Sequence, residues 1–140
     1  MISGFFFQTY NTNKQTGDSA ATAVSMFTGV KTTHRTLGFD NKIEYKKPST
    51  EETAQKLTGI LDWAQEANMK TGFVTNTRLT HATPAALYAH SANRNWECDA
   101  AINDCTTSSD EISLKDQVIQ FYYLVFQVLL FLWYLHADID

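Results

Sequence analysis

What this 140-residue chain has little of narrows its function before any motif is read. Lysine and arginine total 11 against 15 aspartates and glutamates, a net charge of -4. The basic residues are scattered rather than gathered into a stripe, which speaks against nucleic acid as a partner. Histidine occurs four times, at His34, His81, His90 and His136, with no pair at helical metal-binding spacing. Cysteine occurs twice, and none precedes Cys98. Cys98 and Cys105 are close enough for a small disulfide loop, and a free pair fits as well. There is no Asn-x-Ser/Thr site, so glycosylation says nothing about compartment. No internal repeat or low-complexity linker divides the chain, and one domain of this length can bury a core.

The most informative stretch is Gly17-Asp18-Ser19-Ala20-Ala21-Thr22-Ala23, which sets a serine between a carboxylate and a run of small residues. Asp18 or Ser19 is expected to cap a helix that runs to Phe27 and stops at Gly29. A serine at that end faces unpaired backbone N–H groups and the positive end of the helix dipole, both of which favour an anion. Ala20, Ala21 and Ala23 add no bulk, so a ligand can approach the backbone. A serine hydroxyl is a weak nucleophile until a base or a metal ion takes its proton. On its own, an Asp-Ser pair reads as an N-cap and nothing more.

A second block supplies matching polar groups: Thr77 to Ala85, then Ala89 to Trp96. Thr83-Pro84 predicts an N-cap followed by proline at the first position of a helix through Tyr88, with His81 and Thr83 held on the loop before it. Thr83 offers an oxygen to a hard cation such as magnesium. Arg94 offers a planar fork that grips two phosphate oxygens at once, which lysine cannot do. Singly, Arg94 reads as a solvated charge, His81 as a turn residue, Thr83 as a cap and Trp96 as a core aromatic. With Ser19 they point to phosphate chemistry.

Between the blocks, a Ser49…Glu52 capping box predicts a helix from Ser49 to Asn68 with Leu57, Ile60, Leu61 and Ala64 on one face. Thr71 to Thr75 then reads as a strand. An α-then-β unit of this kind suits an α/β fold.

As an ordered set the motifs are more specific. Asp18-Ser19-Ala20 with its small residues, Gly29-Val30-Lys31, Val74-Thr75-x-Thr77-Arg78, His81 to Ala85, Tyr88-Ala89-His90 and Asn93-Arg94-Asn95-Trp96 resemble alkaline phosphatase. The match is strongest to the animal, membrane-attached branch and runs from about Thr9 to Ala101. The resemblance implies a partial three-layer α/β/α sandwich over residues 9–117 and a hydrolase of phosphate monoesters that passes through a phosphoserine. It implies that Ser19 is the nucleophile and a zinc ligand, that Arg94 binds phosphate, and that Asp18 orients the arginine from behind. Thr83 is implied as a magnesium ligand, with His81 beside that metal or its waters. Zinc and magnesium are the implied cofactors, and the complete family member is implied to be a homodimer on the extracellular face of the cell membrane, held by a GPI anchor. Gly17 stands where the family usually has proline and Ala21 where it often has glycine, while Val24 and Ser25 interrupt the small-residue run. These departures bear on helix packing more than on chemistry. Most of the family's Asp and His metal ligands fall outside the aligned stretch, so the isolated chain is expected to be inactive.

Both ends depart from the pattern. Residues 1–8 are too short for a signal peptide and lack its basic start. Residues 118–135 carry no charge and are about long enough to cross a bilayer. That segment reads foremost as mistranslated or misjoined sequence, then as a transmembrane anchor, then as a lipid-anchor signal preceded by Thr106 to Asp110. Residues 136–140 form an acidic end. Two other functions stay open: a truncated membrane-tethered product without turnover, and a serine esterase using Ser19 with His81 or His90 as base.

Overall fold

The computed structural model describes residues 8–98. Residues 118–135, the Thr106 to Asp110 segment, Cys105 and His136 lie outside the described residues. Three α-helices are found among the described residues: α1 (Ser19–Thr28), α2 (Ile60–Glu66) and α3 (Ala82–Ala85), with a 3₁₀ turn at Pro48–Thr50.

The predicted first helix forms as its sequence dictates. Asp18 is its N-cap in extended conformation, and its carboxylate accepts from Ala20 N at 3.2 Å and Ala21 N at 3.3 Å. Those two amides have no partner within the helix. Gly29 closes the other end at φ 77°, where its N–H returns to Ser25 O. An L side chain there would meet its own backbone, which is why glycine sits in that place. Ala20, Ala23 and Val24 face inward and pack with Ala82, Ala85, Ala86 and Ala89 around Leu37. Alanine on both partners lets α1 and α3 approach closely. Val24, one of the departures from the family's small-residue run, is completely buried in this core.

The helix expected from Ser49 to Asn68 is shortened to α2, and the capping box does not form. Ser49 lies exposed in the 3₁₀ turn. Side chains and tertiary contacts take the backbone groups that a longer helix would need. Gln55 N donates to the Asp40 carboxylate at 3.2 Å. Asp40 N donates to Gln55 O at 3.0 Å and Leu57 N to Gly38 O at 2.8 Å, around an antiparallel bridge between Phe39 and Lys56. The chain turns helical only after Gly59, whose N–H is held by the Asp62 carboxylate at 2.7 Å. Ile60, expected on the apolar face, is 54% exposed.

Thr71 to Thr75, expected as a strand, has no strand or bridge partner among the described residues. Periodicity describes one segment, whereas a strand also needs a neighbour. The second block shifts by two residues as well. His81, not Thr83, is the N-cap of α3, so Thr83 and Pro84 are its second and third residues. Proline is tolerated there because the first four helical N–H groups have no intrahelical acceptor.

A second apolar cluster, Phe39, Ile43, Ala54, Ala92 and Trp96, lies beyond the first. The two are joined by a bridge in which Leu37 N donates to Ser91 O at 2.9 Å and Ser91 N to Leu37 O at 3.0 Å. Gly38 sits at the joint with φ 67°, and a Cβ there would fall 2.3 Å from Ala89 O. That oxygen belongs to the backbone and cannot step aside. Gly38→Ala is therefore expected to cost about 2 kcal/mol or more of unfolding free energy, measurable by urea titration.

Candidate functional site

Asp18 serves two purposes at once. Its carboxylate caps α1 and faces a loop and the Arg94 segment. Oδ1 accepts from Asn11 Nδ2 and Arg35 N, both at 3.1 Å, and lies 3.5 Å from His34 Nδ1. Oδ2 accepts from Arg94 Nη1 at 3.2 Å. Burial alone would raise its pKa, but the amides of Arg35, Ala20 and Ala21 and the Arg94 guanidinium outweigh that and hold it below the ordinary carboxylate value.

The same Arg94 Nη1 donates to Ser19 Oγ at 2.6 Å. Asp18, Ser19 and Arg94 thus meet although Arg94 is 75 residues from Ser19 in sequence. Arg94 is itself placed from its backbone, since its N–H donates to Arg35 O at 3.0 Å. Asp18 and Arg94 are largely buried, whereas Ser19 is exposed at the end of α1. The hydroxyl is open to solvent and backed by a fixed cation. A guanidinium donating to this oxygen favours its deprotonated form, as any opposite charge does.

His81 and Thr83 make no hydrogen bond to this trio among the described residues. Thr83 is exposed and lines a shallow pocket with Phe27, Leu61, Phe73, Val74 and Pro84. His81 Nδ1 is buried without a hydrogen-bond partner among the described residues. His90 Nε2 pairs with Leu57 O at 3.2 Å, and its ring stands T-shaped to that of Phe39 with centroids 5.6 Å apart. Burial pushes its pKa down. No group of three His, Cys, Asp or Glu side chains converges among the described residues.

Several residues around the trio were not singled out in the sequence as site residues. Asn11 and His34 flank Asp18, and their only sequence signal is polarity near the block that begins at Thr9. Glu97 is a second fastening. It accepts from Arg78 Nε at 2.9 Å, Arg78 Nη2 at 2.8 Å and Thr80 Oγ1 at 2.7 Å, tying the approach to α3 to the segment just past Arg94. The Arg78 guanidinium draws the Glu97 pKa down to about 2. A depressed carboxylate contributes stability above its unfolded pKa and loses it as pH falls toward the folded value. Wild-type stability is therefore expected to fall between about pH 4.5 and 2 by more than that of Glu97→Gln, read from melting temperature against pH.

Comparison with known proteins points to one family. The family model for alkaline phosphatase matches residues 5–130. Alkaline phosphatase 4 of Drosophila melanogaster is 45% identical over 95 residues, covering 68% of this chain and 15% of that protein. The tissue-nonspecific alkaline phosphatase of Gallus gallus is 47% identical over 92 residues, covering 66% of this chain and 18% of that one. The chain therefore spans less than a fifth of the length of either relative. Among solved structures, a mutant of TAB5 alkaline phosphatase with magnesium bound has a TM-score of 0.53 at 30% identity, covering 62% of this chain and 22% of that chain. A cold-active alkaline phosphatase from Shewanella sp. has a TM-score of 0.52 at 32% identity, covering 70% and 22%. With a family model matched over most of its length and relatives at about 45% identity over two thirds of it, the chain belongs to the alkaline phosphatase family.

Proposed function

We propose that this chain carries the nucleophile and phosphate clamp of a phosphate-monoester hydrolase that works through a phosphoserine. The observation that carries the reading is the position of Arg94, whose one nitrogen reaches both Asp18 Oδ2 and Ser19 Oγ. Asp18 fixes the guanidinium, and its remaining donors are suited to the non-bridging oxygens of a phosphoryl group beside Ser19. Ser19 Oγ attacks phosphorus, the bond from phosphorus to the alcohol oxygen breaks, and the alcohol leaves with a proton. Water then attacks the phosphoserine, releasing inorganic phosphate and restoring the hydroxyl. Throughout, Arg94 neutralises charge spread over the phosphoryl oxygens.

Family membership implies zinc and magnesium. The exposed Thr83 hydroxyl is the proposed oxygen donor to magnesium, and His81 would sit beside that ion or its waters, since imidazole nitrogen is a poor ligand for so hard a cation. For zinc, Ser19 Oγ is the one assigned donor, and the described residues supply no cluster around it. When bound, such ions lower the pKa of an attacking oxygen and stabilise the leaving one. The described residues alone do not complete that set, so the isolated chain is read as inactive. A homodimer on the extracellular face of the cell membrane is the proposed setting of a complete family member.

The serine esterase reading loses its support, since Ser19 Oγ is engaged by Arg94 and neither His81 nor His90 hydrogen-bonds to it among the described residues. The truncated, membrane-tethered non-enzyme depends on residues 118–135. No helix among the described residues is long and apolar enough to cross a membrane.

The full chain, supplied with zinc and magnesium, is expected to release no phenol from an aryl phosphate yet to bind inorganic phosphate in calorimetry. Arg94→Ala should weaken that binding roughly 30-fold or more, the effect of losing charge-assisted hydrogen bonds. Turnover by the isolated chain would overturn the inactivity reading, and undiminished phosphate affinity in Arg94→Ala would overturn the clamp.

A further inference from the structure

The segments fastened to the Ser19 and Arg94 site carry a feature that phosphate clamping does not use. Three non-glycine residues have left-handed backbone among the described residues: Arg35 at φ 67°, Lys46 at 61° and Asn68 at 58°. Asparagine enters this region readily, and Asn68 merely ends the turn after α2. Arg35 and Lys46 are different, being long cationic residues where glycine would be relaxed. Both side chains border one ring. Arg35 Cζ lies 5.7 Å and Lys46 Nζ 5.8 Å from the Tyr45 ring centroid, and Arg35 Nη1 donates to Tyr45 Oη at 3.4 Å.

Their backbones are fastened to the site itself. Arg35 N donates to Asp18 Oδ1 at 3.1 Å, and Arg35 O accepts from Arg94 N at 3.0 Å. Lys46 N donates to Ala92 O at 3.0 Å, two residues before Arg94. These bonds account for the left-handed backbone, but glycine would make them without strain. What glycine lacks is the cation. Two exposed positive groups, set about one aromatic ring and tied to the phosphate clamp, are placed to receive a second anion.

We propose that Arg35, Tyr45 and Lys46 form a cationic shelf that selects phosphate monoesters whose alcohol carries a second anionic group. The inference rests on the phosphate-site reading of Ser19 and Arg94. The phosphoryl group lies at Ser19 and Arg94, while the second anion lies over the shelf, in solvent. Its effect is accordingly modest and weakens with salt.

The test compares two probes by calorimetry on the full chain at low salt with zinc and magnesium present. These are 3-phosphoglycerate, which has a carboxylate, and glycerol 3-phosphate, which has none. Wild type is expected to prefer 3-phosphoglycerate roughly fivefold, the size of one or two exposed charge contacts. Arg35→Gly with Lys46→Gly should bring the ratio to about one, with glycerol 3-phosphate still bound. Arg35→Gln with Lys46→Gln should do the same while keeping side-chain bulk, so loosening of the shelf by glycine cannot mimic the result. A ratio near one in wild type, or a preference retained in the Gln pair, would sink the shelf while leaving the clamp standing. Failure of wild type to bind either probe overturns the phosphate-site reading and the shelf with it.

Discussion

One carboxylate organises this molecule. Asp18 satisfies the first amides of α1, holds the loop through Arg35 N and Asn11, and orients Arg94 against Ser19. A buried charge is costly unless its lone pairs are used, and here five donors among the described residues use them. The same hydrogen bonds that end a helix correctly thus hold Arg94 beside Ser19. Capping and the placing of Arg94 cannot be separated at this residue, because removing the carboxylate unsettles both.

The small-residue core serves the same end. Alanines from α1 and α3 meet around Leu37, so the two helices sit close enough for their neighbouring loops to share a site. Larger side chains would push them apart. The bridge between Leu37 and Ser91 then carries the chain from this core to the one around Phe39 and Trp96, and Arg94 lies between Ser91 and Trp96 on that path. The arginine is therefore set by packing on both sides as well as by Asp18. The Glu97 clamp extends the same logic toward α3.

How much of this the sequence disclosed depended on whether the cause was local. The cap at Asp18 and the stop at Gly29 were legible, because each follows from a residue's own conformational chemistry. The trio of Asp18, Ser19 and Arg94 was legible only through ordered motifs, since nothing local says that residues so far apart meet. The long helix from Ser49 was misread because the N–H groups of Gln55 and Leu57 are claimed by Asp40 and Gly38, partners that periodicity cannot reveal. Thr71 to Thr75 reads as a strand by composition, yet composition cannot supply a pairing partner. Thr83 was placed two residues early because proline is acceptable anywhere in the first turn, so Pro84 does not fix the register of α3. The strained backbone of Arg35 and Lys46 left no trace at all, since neither residue type suggests a left-handed turn.

The span between Asp18 and Arg94 also bears on how the chain reaches this state. Their hydrogen bond joins residues 76 apart, so closing it carries the entropic cost of a long loop. Local pieces such as α1 can form early, but contacts of high sequence separation come slowly. The meeting of Asp18 with Arg94 is then expected late in folding, and any ligand bound only by the finished structure draws the folding equilibrium toward it.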